Sequence, residues 1–281
     1  MKADRREFLK LSGMGIVSTA FPSIVTASDI KKKATAPKYS FRLGIASYSF
    51  RQFSLDDALK MTKRLNIDNI SLKDFHLKLD ASDAEIAEAV QKCKNAGIRL
   101  YGGGVIYMNT TEEVDRAFEY ARKAGMEIII GVPKHELLPY VEKKVQQFNI
   151  KLAIHNHGPG DKNYPSAESA YEKIKDMDSR MGLCIDIGHT ARIKRDPSQD
   201  IRKYYDRVFD VHIKDVTRAD ETGSTCEIGR GIIDIPKFLR EVIRLQYTGI
   251  LALEFEKDAN DPLPGMAESI GYIKGVLAGL V

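Results

Sequence analysis

Histidines, acids and a lysine gather at the ends of four apolar runs in the second half of the chain. Run 151–157 carries His155 and His157, and run 183–189 carries Asp186 and His189. Run 208–215 carries His212 and Lys214, and run 250–256 carries Glu254 and Glu256. In an extended strand alternate side chains share a face. Ala153, His155 and His157 therefore point one way, and Leu152, Ile154 and Asn156 the other. The same parity places Asp186, His212 and Glu254 in phase with His155 at the tips of four strands. Two imidazoles and two carboxylates suit one divalent ion, with zinc, manganese, cobalt and nickel as candidates. A single polar residue at a strand end is ordinarily a hydrogen-bonded tip. Four of them in phase on adjacent strands point to metal chemistry.

Other residues surround this set. Glu254, His157 and Lys214 are the expected proton carriers and charge holders. His189, expected in the loop past Asp186, is one substrate contact. Glu256, one step nearer the rim than Glu254, is another. Arg230, flanked by Gly229 and Gly231, offers a fork of donors in the loop after the seventh strand. Tyr48, Arg51, Lys73 and His76 stand near earlier strand ends. The third strand is expected to end in Gly102–Gly104 and the fourth in Gly131–Pro133. Both lack ligands, which favours one metal over a multinuclear centre.

The elements that would position these residues alternate regularly. Strands are expected at 41–47, 69–73, 98–102 and 127–130, each followed by a helix, at 54–65, 84–95, 111–123 and 136–148. Helices at 167–177, near 200–205 and at 236–245 separate the four ligand-bearing strands, and a last helix ends near Leu277. Ser54 with Asp56 and Asp57 marks one helix start, Gly97 and Gly125 mark helix ends, and Pro236 opens another. Eight strand-then-helix units in about 240 residues match a single-domain (β/α)8 TIM barrel, whose active sites lie at the C-terminal strand ends. An open doubly wound sheet would carry a glycine-rich turn after its first strand. Here that position reads Ser47-Tyr48-Ser49-Phe50-Arg51.

The chain has 281 residues, 43% of them hydrophobic, and a formal net charge of +4. That balance makes no case for nucleic acid. The three cysteines, Cys93, Cys184 and Cys226, show no pairing pattern and read as small buried hydrophobes. Residues 1–27 resemble a twin-arginine export signal: Arg5-Arg6 with Phe8-Leu9-Lys10, a weakly apolar run too short and too rich in Gly and Ser to span a membrane, and small residues at 25–27. A lysine-rich linker at 28–38 and the barrel at 39–281 would follow. The expected location is the periplasm, with no membrane span in the mature protein and the oligomeric state left open.

Asp186-x-x-His189, His212-x-Lys214-Asp215, Gly229-x-Gly231 and Leu251-x-Leu253-Glu254 together resemble the xylose isomerase-like barrel family, often called sugar phosphate isomerases/epimerases. The resemblance covers everything after the linker. It implies that Asp186, His212 and Glu254 bind metal, that His189 contacts substrate, and that the partner is a small carbohydrate. In the family's ketose epimerases the fifth strand ends in a glutamate, and here His155 stands in its place. The expected activity is sugar isomerisation or epimerisation through an enediolate. A lyase or hydratase acting on keto-sugars is the alternative, and a non-catalytic sugar-binding barrel is another. An endonuclease would need a metal cluster and a basic groove.

Overall fold

The computed structural model describes residues 39–280; the expected export signal (1–27) and linker (28–38) lie outside the described residues. Eight parallel strands close into a barrel: β1 (Arg42–Ala46), β2 (Asn69–Leu72), β3 (Arg99–Met108), β4 (Ile128–Pro133), β5 (Lys151–His155), β6 (Met181–Asp186), β7 (Val208–Ile213) and β10 (Ile250–Leu253). β1 bonds to both β2 and β10, which closes the ring. Around it run α1 (Leu55–Arg64), α2 (Asp83–Asn95), α3 (Thr111–Ala124), α4 (Leu138–Phe148), α5 (Ala167–Ile174), α6 (Ile187–Arg192), α7 (Pro197–Lys203), α8 (Ile235–Arg244) and α9 (Leu263–Leu280). This is the single TIM barrel expected.

Local signals set the helix ends. Ser54 caps α1 by accepting from Asp57 N, and Ser82 and Glu85 form a reciprocal capping box at α2. Gly125 ends α3 with a left-handed φ of 66°. The apolar faces of the helices pack on the outer faces of the strands, with Phe118, Val141, Ile174 and Phe238 fully buried. A second, smaller cluster of Ala46, Tyr101, Ile250 and Ala252 fills the barrel itself.

Three elements differ from expectation. β3 does not stop at its glycines but runs on to Met108. The glycines at 102 and 104 are there because β4 approaches closely: a Cβ on Gly102 would lie 2.9 Å from Ile128 O, and one on Gly104 would collide with Ile130 O. The Asp186–His189 segment is not a loop; Asp186 caps α6 by accepting from His189 N. The loop after β7 contains a small antiparallel hairpin, β8 (Asp215–Val216) and β9 (Thr225–Cys226).

Between β2 and α2, His76 is buried with Nδ1 2.9 Å from Ser47 Oγ, and its Nε2 has no partner. Burial lowers its pKa from 6.5 to about 4. The unfolded chain therefore takes a proton that the folded chain refuses. The stability His76 contributes is present above about pH 6.5 and is lost as pH falls toward about 4. Urea unfolding of wild type and His76→Gln, at about pH 7 and about pH 5, should show a smaller acid loss in the variant. Equal losses would assign the titration to another group.

Candidate functional site

β6 and β7 pair with Asp186 in register with His212, and β10 and β7 with Ala252 in register with His212. Together with β5 this carries four polar strand ends to one side of the barrel mouth. Backbone locks hold them there. Asn156 accepts from Asp186 N at 2.9 Å and directs its amide toward Asp186 O at 3.3 Å. Ser49 accepts from Phe255 N at 2.8 Å, and Arg51 donates to Glu256 O at 2.6 Å, which fixes the chain leaving β10.

The four expected ligands converge. His155 Nε2 lies 3.1 Å from His212 Nδ1 and 3.5 Å from Asp186 Oδ2, and His212 Nδ1 lies 3.2 Å from Glu254 Oε2. One donor atom from each of His155, Asp186, His212 and Glu254 lies within 4.8 Å of every other, and all four residues are buried. Asp186 Oδ2 is fully buried and, apart from its ion pair with Lys214 Nζ at 2.9 Å, makes no hydrogen bond. A buried oxygen with an uncommitted lone pair, facing two imidazole nitrogens and a second carboxylate, fits a divalent ion.

Lys214, only 2% exposed, lies among the acids. Its Nζ stands 2.9 Å from Asp186 Oδ2 and 2.7 Å from Glu254 Oε2, and it also pairs with Glu256. The lysine stem passes α6 only because residue 188 is glycine: a Cβ there would lie 2.5 Å from Lys214 Cγ. Burial alone would push both carboxyl groups up. Their neighbours prevail, the His189 imidazole and the Lys214 ammonium at Asp186 and His212 and Lys214 at Glu254, and hold both well below the usual carboxylate range. Burial likewise opposes the charge on Lys214, but Asp186, Glu254 and Glu256 raise its pKa well above the ordinary lysine value. Burial drives His155 down to about 3 and also lowers His157 and His189, so these three imidazoles are neutral at pH 7.

Above this floor lies a cleft of about 330 Å³ lined by Tyr48, Lys73, Tyr107, His157, His189 and Glu256 among others. His157 Nε2 is 3.0 Å from the Tyr107 hydroxyl, and its Nδ1 is 3.5 Å from Asp161 Oδ2. The structure therefore brings together His155, His157, Asp186, His189, His212, Lys214, Glu254 and Glu256. Arg230 is not among them. It forks onto Glu268 of α9 at 2.5 and 2.7 Å, with its side chain 63% exposed. Its flanking glycines serve Asp215, whose Oδ2 accepts from Gly229 N and Gly231 N, each at 3.0 Å. The glycine pair fits an internal loop clamp rather than a substrate.

Three further residues belong to the site. Tyr107 reaches the cleft because β3 is long. Asp210 lies one inward position below His212, with Oδ2 4.0 Å from His212 Nε2 and 3.3 Å from the Tyr101 hydroxyl. Burial pushes its pKa up to about 6. Strand parity with His212 could have found it. Arg192, at the end of α6, approaches His189 Nδ1 at 3.3 Å.

Removing one partner from a buried ion cluster leaves the others unpaired, which costs about 3–5 kcal/mol. Lys214→Met should therefore destabilise the metal-free protein by about that amount, and added divalent ion should restore most of the lost melting temperature. A variant as stable as wild type without metal would show that the ammonium is not the counter-charge of this cluster.

A family model described as Xylose isomerase-like TIM barrel matches residues 50–276. A rhizopine catabolism protein of Rhizobium meliloti is 26% identical over 146 residues, 46% of this chain and 44% of that protein. The matched segment thus spans less than half of that relative. A solved structure from Parabacteroides distasonis is 26% identical, with a TM-score of 0.67 over 84% of this chain and 99% of that one. The structure of an L-ribulose 3-epimerase shares the fold at 16% identity, with a TM-score of 0.69 over 85% of this chain and 95% of that one.

Proposed function

The chain belongs to the xylose isomerase-like TIM barrel family, and on that premise we propose that it is a divalent-metal-dependent isomerase or epimerase of a keto-sugar. The observation that carries this reading is the buried His155–Asp186–His212–Glu254 cluster at the floor of a cleft that also presents His157, His189 and Glu256. The L-ribulose 3-epimerase of like fold supports a carbohydrate substrate. His155, Asp186, His212 and Glu254 would hold the ion. A divalent ion so held would polarise a substrate carbonyl and acidify the neighbouring C–H.

The chain's own groups do the rest. Glu254 stays ionised beside His212 and Lys214, which lets it accept the α-proton. The Lys214 ammonium, held positive by three acids, stabilises the charge that grows on the enediolate oxygen. His157 is neutral and tethered to Tyr107, and it is a second proton carrier within the same cleft. His189 and Glu256 bind hydroxyls. Elimination is the second reading. His155 occupies a strand end where a second carboxylate would suit symmetric proton exchange, and an imidazole at His157 suits assisted departure of a β-hydroxyl.

The purified mature protein should contain about one equivalent of metal, lost in Asp186→Ala and in His155→Ala. Metal-loaded protein should exchange the α-proton of a keto-sugar for deuterium, and His157→Asn should retain metal while slowing exchange by about 10²–10⁴-fold. Dehydrated product would select the lyase reading. No metal in wild type, and none taken up on titration, would sink the mechanism. Sugar binding by metal-loaded protein without exchange or product would leave a binding protein.

A further inference from the structure

Beside the cleft lies a second compartment of about 530 Å³, and the two share His189 and Glu256. It is walled by α6, the β8–β9 hairpin and the chain leaving β10, and Arg192, Thr217, Ser224 and Lys257 line it. Its charges are unequal in their partners. Lys257 is paired with Glu227 at 2.6 Å, and Lys214 with three acids. Arg192 has no carboxylate partner among the described residues. Its guanidinium gives one nitrogen to Glu221 O at 2.8 Å and another to His189 Nδ1 at 3.3 Å, and its Nε is buried without a partner. A half-buried guanidinium with uncommitted donors and no counter-ion is costly unless a ligand supplies the anion.

We propose that Arg192 is the specificity residue for an anionic group on the substrate, with the keto end in the metal-facing cleft and the carboxylate or phosphate end in the second compartment. This inference rests on the keto-sugar reading above and narrows it to sugar acids or sugar phosphates. His189, shared by both compartments and touched by Arg192, lies where the two ends of such a substrate would meet. A planar guanidinium binds a carboxylate or phosphate through paired N–H donors, which a lysine can only partly replace.

The test compares D-fructuronate, D-fructose 6-phosphate and D-fructose as substrates for α-proton exchange by the metal-loaded full chain. At least one anionic ketose should exceed fructose in kcat/KM by about tenfold or more, and the better one identifies carboxylate or phosphate as the natural group. Arg192→Gln should bring the anionic-to-neutral ratio close to one, and Arg192→Lys should recover part of it. Equal losses on all three sugars in Arg192→Gln would reduce Arg192 to a support for His189 and overturn the proposal, as would a wild type that prefers fructose. Calorimetric binding of D-gluconate and D-glucitol separates this inference from the keto-sugar reading, since neither probe reacts by proton exchange. Tighter gluconate binding that Arg192→Gln abolishes would uphold the anion site even if no ketose is turned over. Equal binding of the two would refute it.

Discussion

At the mouth of this barrel a buried ammonium holds three carboxylates together. Asp186, Glu254 and Glu256 come from two strand ends on either side of Lys214, and in a water-poor setting their mutual repulsion would drive them apart or protonate them. Lys214 resolves this within the protein and keeps Asp186 and Glu254 ionised. The glycine at 188, the Asn156 lock on Asp186 and the Ser49 lock on Phe255 all serve this arrangement. Each removes a side chain, or supplies a hydrogen bond, where the cluster requires it.

The same arrangement frames how a metal would enter. Two imidazoles and two carboxylates point their donor atoms into a space already shared with a positive charge. Positive charge from metal and lysine together would offset the acids, and Lys214 would be freer to face a substrate oxygen. His212 has a carboxylate beneath it, since Asp210 lies 4.0 Å from its outer nitrogen. A ligating imidazole is commonly oriented by an acid or carbonyl in that position. Site chemistry therefore extends one layer into the barrel, where Tyr101 and Cys184 also approach Asp210.

Around this centre the loops divide the mouth into two compartments of different character. On one side Tyr48, Tyr107 and His157 present ring faces and edges, which suits the C–H faces of a sugar ring. On the other Arg192, Thr217 and Ser224 present donors. On the proposed reading the rigid barrel would fix the chemistry and the loops would sort the substrate, a division common to this architecture.

Much of this was legible in the residues alone. Alternation along a strand is strictly twofold, so His155, Asp186, His212 and Glu254 could be put in phase without coordinates, and eight alternating units left a closed parallel barrel as the economical fold. Proximity along the chain also tied His189 to Asp186. Tertiary structure decided the rest. Whether Gly102–Gly104 ends a strand or lets it pass close to β4 depends on a neighbour that local sequence does not specify, and Tyr107 joins the cleft on that account. Arg230 looked like a substrate fork but faces Glu268, which lies 38 residues away. Arg192 carries no motif of its own, yet it lines a compartment walled in part by a distant hairpin. Strand periodicity is a property of the local backbone and is written in sequence. The pairing of long charged side chains is settled by what other segments bring within reach.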